Sequence, residues 1–301
     1  MNRKLFTTAL MLLMAFMAQA QVKIAPKMEK GMKMTYSIVT TATAAGQEMK
    51  TDSEVEYVVS QKNADGFVVD VTMTKMESAD NSEDLMSRMM NITEEMMKGV
   101  TIKIKTDKDG KPVGIVNSEE VKTLTLKTAT KMLDEIYQKS PEISQVLSKE
   151  TMMKQVEETL TEEAILNSYL ATATNALVLN GKTVANMAQD TYTSNQKIPM
   201  KRMYFVAKDG KTITTNSQSE MTKEELKKFI IKQVEDNMPN QAEMIKQNID
   251  AVMESGMLKI EAKEKAVYTM QDNGWIKSVD MTQELNMMGQ SMTQKAVMTL
   301  K

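Results

Sequence analysis

Paired segments of alternating apolar and polar residues, joined by tight turns, constrain this fold more than any other feature. Val55, Tyr57 and Val59 alternate with polar neighbours, and the same period of two returns at 67–74, after a turn cluster. Asp-Gly or Asn-Gly turns follow at 109–110, 209–210 and 273–274. A period of two is typical of half-buried strands, and these dipeptides are typical of hairpin turns. The chain therefore predicts a large antiparallel sheet built from hairpins.

Three segments change to the helical period, with apolar residues recurring every three or four positions. The last of them begins with a capping box, Thr222–Glu225. These patterns predict helical blocks at about 82–98, 118–179 and 222–255. No strand–helix–strand repeat with a glycine-rich crossover accompanies them. We therefore predict an α+β fold, in which amphipathic helices pack on one face of a large, half-barrel-like antiparallel sheet.

The first 20 residues have the three parts of a secretory signal peptide. Asn2–Lys4 is basic, Leu5–Ala18 is mostly apolar, and Ala18-Gln19-Ala20 matches a cleavage site. We therefore expect residues 1–20 to be removed and the protein to be exported, to the periplasm or to the cell exterior.

Residues 21–301 are expected to form a single α+β domain, because this length suits one large domain. Two similar halves are an open alternative, since residues 104–124 and 205–226 both run strand, Asp-Gly-Lys turn, strand and helix. We expect no transmembrane segment after residue 20.

Cysteine and histidine are both absent from the chain. Their absence excludes disulfides, Cys–His and Ser–His–Asp catalysis, and zinc sites built from these ligands. It also argues against a lipid anchor, which would need a cysteine after the signal peptide. The 38 basic and 40 acidic residues are interspersed, without the basic stripe typical of nucleic-acid binding. We therefore predict a protein that is not an enzyme and that binds no cofactor, metal or nucleic acid.

Methionine is unusually frequent, with 32 residues in the chain. Pairs such as Met86 and Met89 could present two thioethers to Cu(I), which prefers soft ligands. The same residues fall on the helical stripe of Leu85 and Ile92, where methionine can replace leucine in an adaptable core. We favour the core interpretation. Asp107–Gly110 starts like a calcium-binding loop, but its glycine falls at position 4 and not at 6, so we interpret it as a turn.

Some segments resemble those of known exported proteins. They are Gly31–Tyr36, the Asp-x-x-Gly turns, and Val184–Tyr192, which is similar to a Val-x-x-Gly-Asp-x-Trp segment. The last departs from that pattern, since Gln189 and Tyr192 replace the glycine and the tryptophan and the spacing is longer. Through these segments the chain resembles exported proteins of the DUF6263 type and, more loosely, the LolA/LppX-like lipoprotein carriers. The resemblance implies an exported antiparallel-sheet protein that handles lipophilic molecules, and it implies no catalytic residues.

Helices with wide methionine and leucine faces, lying on a large sheet, can enclose an apolar cavity for varied hydrophobic ligands. We therefore predict an exported, non-catalytic envelope protein that binds a hydrophobic or lipid-like ligand between sheet and helices. A structural or protein-interaction module with a filled core is the first alternative, and an enzyme using carboxylates, lysine or serine alone is the second. For Trp275 the competing interpretation is cross-strand packing. The candidate ligand-lining residues are Leu85, Met89, Met96, Leu226, Phe229 and Trp275.

Overall fold

The computed structural model of the chain describes most of the expected mature protein. The described residues are 21–44, 46–78, 85–139, 148–194, 197–219, 221–237, 242–254, 260–287 and 290–301. The predicted signal peptide at residues 1–20 lies outside them.

The described residues form thirteen strands and six helices. The strands are β1 (Val22–Lys23), β2 (Lys33–Ala44), β3 (Gln47–Asn63), β4 (Gly66–Ser78), β5 (Thr101–Asp107), β6 (Pro112–Ile115), β7 (Thr183–Val184), β8 (Gln189–Thr193), β9 (Pro199–Val206), β10 (Thr212–Ser219), β11 (Ile260–Met270), β12 (Ile276–Met287) and β13 (Gln290–Leu300). The helices are α1 (Leu85–Met97), α2 (Ser118–Lys139), α3 (Lys149–Thr159), α4 (Glu162–Leu170), α5 (Lys223–Asn237) and α6 (Ala242–Glu254). None of these described helices is both long and apolar enough to cross a membrane.

Eleven of the strands form one open antiparallel sheet, in the order β6-β5-β4-β3-β2-β13-β12-β11-β10-β9-β8. Most neighbours in the sheet are also neighbours in sequence, as the hairpin pattern predicts. The exception is the central pair, where β2 lies beside β13 and joins the two ends of the described chain. A second, two-stranded sheet pairs β1 with β7. The predicted α+β fold with a large antiparallel sheet is confirmed.

In its described parts, 118–139 and 148–179, the helical block expected at 118–179 consists of three helices and ends earlier than predicted. Helix α4 ends at Leu170, and residues 171–182 form a run of turns, most of them buried. The Asn175 side chain explains the change, because its amide donates to the Tyr169 carbonyl at 3.0 Å and its oxygen accepts from the Leu177 amide at 2.8 Å. These bonds compete with helical hydrogen bonds and favour a turn.

The third block, expected at 222–255, consists of α5 and α6 on either side of residues 238–241, which are not described. Its predicted capping box is confirmed, since the Glu225 amide donates to Thr222 Oγ1 at 3.2 Å and the Thr222 amide donates to Glu225 Oε2 at 2.8 Å. The first block is described as α1, from Leu85 to Met97.

The main core lies where the N-terminal segment and the turns of 171–182 cover the sheet. Tyr36, Tyr57 and Trp275 are buried there, together with Ile24 and the apolar run 176–179. Helix α4 adds three partly buried side chains to this core, Ile165, Leu166 and Tyr169. Helix α1 lies against β4, α2 packs on α1, and α3 packs on α2.

Helices α5 and α6 pack on each other through a small cluster of their own. Its buried members are Ile230, Ile249 and Met253. Phe229 on α5 packs against this cluster and also against a second one, which includes Met200 on β9. Phe229 therefore links the helical pair to the sheet.

Candidate functional site

The pairing register identifies the face of the sheet that carries the core. Val279 on β12 lies opposite Met298 on β13, and Met298 lies opposite Ile38 on β2. Directly opposed residues of antiparallel strands point to the same side. Val279 and Met298 are fully buried, so we call this side the inner face.

Towards the β2–β3 and β12–β13 turns, the inner face becomes partly exposed and rich in methionine. Met292 lies opposite Leu285, Met287 lies opposite Ile260, and Met49 lies opposite Ala42. The side chains of Met292 and Met287 are 47% and 41% exposed. We call these residues and their neighbours the methionine band: Met49, Met73, Met76, Leu285, Met287 and Met292.

A bulge adds two methionines of β4 to this band. Met76 lies opposite Ser53, and Met73 lies opposite Val55, with a register shift between Glu54 and Val55. The extra residue turns both methionines to the inner face, although three-residue spacing would separate them in a regular strand. Within the described residues, only Leu285 of the band packs against a buried cluster. The band is thus an apolar surface beside the core and not part of it.

Trp275, a candidate lining residue, lies in the main core. Its side chain is 1% exposed, its ring meets that of Tyr57 edge-on at 6.5 Å, and its Nε1–H donates to the Lys27 carbonyl at 3.0 Å. This position supports the cross-strand packing interpretation.

The other candidate residues lie on three helices. Met96 is buried on α1, and Leu226 and Phe229 are half-buried on α5, where both pack on the α5–α6 cluster. The structure therefore brings Leu226 and Phe229 together, but it places them in a different cluster from Trp275. Leu85 and Met89 belong to α1, and their side chains are outside the described part of the chain.

Four charged and polar groups form a compact ion-pair network at the β8 edge of the inner face. Asp190 on β8 accepts two hydrogen bonds from Arg202, through Nε and Nη2, both at 2.8 Å. Lys182 Nζ and Tyr204 Oη also donate to the Asp190 carboxylate, each at 2.8 Å. Burial opposes the charged form of Asp190, but the hydrogen bonds from Arg202 and Lys182 outweigh it and lower the pKa to about 2. The network is satisfied internally, which is typical of a structural role.

Glu264, on β11, is a buried carboxyl that has no ion-pair partner within the described part of the chain. Its exposed fraction is 8%, and Tyr192 Oη donates to its Oε1 at 3.2 Å. It forms no ion pair among the described residues, and the nearby Arg202 is held by Asp190 while stacking on the Tyr192 ring at 4.6 Å. Burial raises the pKa of Glu264, although the hydrogen bond from Tyr192 and the positive charge of Arg202 oppose the shift. Such a group can receive a cation or exchange a hydrogen bond with a ligand.

Glu264 is not one of the six candidate residues, although the sequence carries a signal for it. The run Ala262-Lys263-Glu264-Lys265-Ala266 resembles a solvated charged stretch. A strict period of two places Glu264 on the same face as Ala262 and Ala266, and both alanines are buried. A glutamate that lies two residues from an alanine on either side, within an alternating strand, is therefore the pattern that identifies Glu264.

Replacing Glu264 by Gln is expected to stabilise the protein near pH 7 and to change its stability little below about pH 4. The folded-state pKa is raised above the ordinary value of 4.5. The charged form is therefore disfavoured in the folded state, and its cost develops as the pH rises through the folded-state pKa. Urea unfolding from pH 4 to 8, followed by circular dichroism, measures the effect. The control is Glu284→Gln, at an exposed position of β12. The prediction would be contradicted if the free energy of unfolding of Glu264→Gln differed from that of wild type by the same amount at every pH.

Four surface clefts of the described chain have volumes of about 200, 500, 430 and 300 Å³. The largest lies between β5 and α2 and has mixed polar lining, including Asp70, Lys103 and Glu120. None of these four is lined by the candidate residues or by the methionine band. The predicted methionine- and leucine-lined cavity is thus not among these four clefts, and the methionine band is an open apolar surface on the inner face.

Known proteins assign this chain to no family. No family model matches the chain, and no curated protein matches it significantly. Among solved structures, the chain is similar to one described as "lipid-protein interactions in lipovitellin", with a TM-score of 0.44 and 7% identity. The superposition covers 91% of this chain and 25% of that one, so the chain spans about a quarter of the lipovitellin chain.

Proposed function

We propose that this is an exported, non-catalytic envelope protein that binds a hydrophobic or lipid-like ligand on the inner face, between the sheet and the helices. The observation that supports this most directly is the methionine band. It continues the side of the sheet that carries the core, yet Met287 and Met292 keep 41% and 47% of their surface exposed. Exposed apolar surface of this kind is costly in water and often marks a binding site.

The chemistry of the band suits apolar ligands of varied shape. Methionine is unbranched and polarisable, so a surface built from it adapts to different partners. Helix α1 lies against β4, which carries Met73 and Met76. Helix α5 reaches the inner face through Phe229, which packs on the same cluster as Leu285 of the band. A ligand on the band would therefore lie between the helices and the sheet.

Three features of the sequence support the rest of the proposal. The signal-peptide pattern of residues 1–20 supports export, and the absence of cysteine supports a protein without a lipid anchor. The absence of histidine and cysteine leaves few nucleophile–base pairs for catalysis. The resemblance to lipoprotein carriers favours a lipophilic ligand.

Replacing Met287 and Met292 together by Gln should weaken binding of a neutral fluorescent probe, N-phenyl-1-naphthylamine, about tenfold or more. Burial of one methionine side chain by the probe contributes about 1.5 kcal/mol or more to binding. Losing two such contributions therefore lowers the affinity more than about tenfold. Fluorescence titration measures the effect. The control replaces Val113 and Val116, which are exposed near the β6 edge, and it should bind as wild type does. Equal binding by all three proteins would argue against the band as the site.

Native mass spectrometry of protein purified gently from its own cell envelope tests for a natural ligand. An apolar mass that is lost on denaturation, and recovered by organic extraction, is the expected result. If the same preparation showed only the mass of the unliganded protein, the protein-interaction module would become the preferred proposal.

A protein-interaction module is the second candidate, and one observation favours it. Val39 and Val297 lie opposite each other on the outer face, and both side chains are exposed. A pair of exposed valines on a polar sheet face can contact a partner protein. Cross-linking in the cell envelope, compared between wild type and a Val39→Thr, Val297→Thr variant, distinguishes the two: a cross-linked partner lost in the variant supports the module.

A further inference from the structure

A row of polar side chains crosses the inner face beside the methionine band. Glu264 lies opposite Ser217 on β10 and Gln283 on β12, and Gln283 lies opposite Gln294 on β13. Neighbouring strands are about 4.8 Å apart, so Glu264 and Gln294 are separated by roughly 10 Å. Gln283 and Gln294 are half-buried, whereas Glu264 is almost fully buried. The row thus runs from a buried carboxyl towards an accessible part of the inner face.

The polar row and the methionine band adjoin each other directly. Leu285 lies two residues beyond Gln283 on β12, and Met292 lies two residues from Gln294 on β13. Residues two apart on a strand share a face and are about 7 Å apart. The row also leads to Met49, because Gln294 lies opposite Ala42 and Ala42 lies opposite Met49. A ligand longer than about 10 Å can therefore contact both the row and the band.

The charge at the buried end of the row is only partly compensated, because the nearby Arg202 favours the charged form without forming an ion pair with it. Glu264 receives one hydrogen bond, from Tyr192, and no lysine or arginine of the described chain forms an ion pair with it. The two cations of the nearby network, Arg202 and Lys182, both bind Asp190. Burying a carboxylate without a cation is costly. A ligand that supplies a cation at this position would remove that cost.

We propose that the ligand is an amphiphile with a primary ammonium headgroup, bound with its chain on the methionine band and its ammonium group at Glu264. This rests on the proposed function and adds the class of headgroup. An ammonium group has three N–H donors, and the acceptors nearest to this position are the Glu264 carboxylate and the side-chain carbonyl of Gln283 on the neighbouring strand. An anionic headgroup would meet the Glu264 carboxylate with the same sign of charge, and a neutral hydroxyl would gain only a hydrogen bond.

Three probes with the same dodecyl chain distinguish the contribution of the headgroup to binding from that of the hydrocarbon. They are dodecylamine, dodecanol and dodecanoate. Each is titrated at pH 7, below its critical micelle concentration, by displacement of N-phenyl-1-naphthylamine. We expect dodecylamine to bind wild type about tenfold more tightly than dodecanol, and dodecanoate to bind most weakly. Glu264→Gln should lose the preference for the amine and keep the affinity for dodecanol. Glu284→Gln, which removes an exposed carboxylate from β12, should keep the preference.

The outcomes separate this inference from the function on which it rests. Binding of all three probes without a preference for the amine, or the same preference in Glu264→Gln as in wild type, overturns the ammonium headgroup and leaves hydrophobic binding in place. Failure of all three probes to displace the dye overturns both.

Discussion

Replacing Trp275 by Ala is expected to lower the free energy of unfolding by about 3–5 kcal/mol, the range measured when large buried aromatics are truncated. The indole is 1% exposed and contacts the Tyr57 ring edge-on. It also holds the N-terminal segment on the sheet, because its Nε1–H donates to the Lys27 carbonyl at 3.0 Å. The truncation would therefore leave a cavity and an unpaired carbonyl in the main core.

Two further variants make the Trp275 prediction specific. Trp275→Phe keeps most of the apolar volume and loses the hydrogen bond, so it should cost clearly less than the alanine variant. Val113→Ala, at an exposed position of β6, should change stability by about 0.5 kcal/mol or less. Urea unfolding followed by far-ultraviolet circular dichroism suits all four proteins, because it needs no tryptophan. A loss below about 1 kcal/mol for Trp275→Ala would show that this core is not organised around the indole.

The surroundings of Trp275 show why the core tolerates so many phenol groups. Tyr36 Oη donates to the Ile276 carbonyl at 2.7 Å, and Tyr57 Oη accepts from the Ala176 amide at 3.3 Å and from Tyr169 Oη at 3.4 Å. Buried hydroxyls are stable only when they are hydrogen-bonded. Burial raises the pKa of Tyr36, Tyr57 and Tyr169 above the ordinary value, so they stay neutral at physiological pH.

Local patterns were sufficient to predict the sheet. The alternation in Val55–Val59 corresponds to β3, and the Asn273-Gly274 turn connects β11 to β12 directly before Trp275. Each of these signals depends on a few adjacent residues. Alternation and turn chemistry act over that range, so a single sequence is enough to recognise them.

Periodicity did not predict the structure at two places, residues 171–179 and the bulge in β4. Residues 171–179 are rich in residues that suit a helix, yet the hydrogen bonds of Asn175 form turns there. In β4, a bulge places Met73 and Met76 on one face against the period of two. Neither feature follows from periodicity, because one depends on the side chain of Asn175 and the other on one extra residue in β4.

The candidate site could not be predicted because it depends on which strands are neighbours. Met292 and Met49 approach each other only because β13 lies beside β2, and this pairing joins residues about 250 positions apart. Five of the six candidate residues belong to helical stripes, and the sixth is the single tryptophan. The exposed apolar side chains of the inner face lie instead on strands at the centre of the sheet. Long-range pairing of this kind has no local signature.

Replacing Arg202 by Met is the second large change, with an expected loss of about 2–3 kcal/mol in the free energy of unfolding. Breaking a fully buried ion pair typically costs about 3–5 kcal/mol, because one charge is left without a partner. The cost should be smaller here, since the Asp190 side chain is 34% exposed and Lys182 still binds it. Methionine retains apolar contact with the Tyr192 and Tyr204 rings, on which the guanidinium stacks. The loss therefore reports on the charge and its hydrogen bonds.

The pH dependence of the Arg202→Met loss identifies Asp190 as the partner. The folded-state pKa of Asp190 is about 2, below its ordinary value of 3.8. The stabilisation by its charged form is therefore complete above about pH 4 and is lost as the pH falls through about 2. Unfolding curves should show a constant gap between wild type and Arg202→Met from pH 7 to 4, and a smaller gap at pH 2. Lys211→Met, which breaks an exposed pair with Asp272, is the control and should cost about 0.5 kcal/mol or less. A gap for Arg202→Met that is no larger than this control, or that persists unchanged at pH 2, would show that the Asp190 network does not stabilise the β8 edge of the sheet.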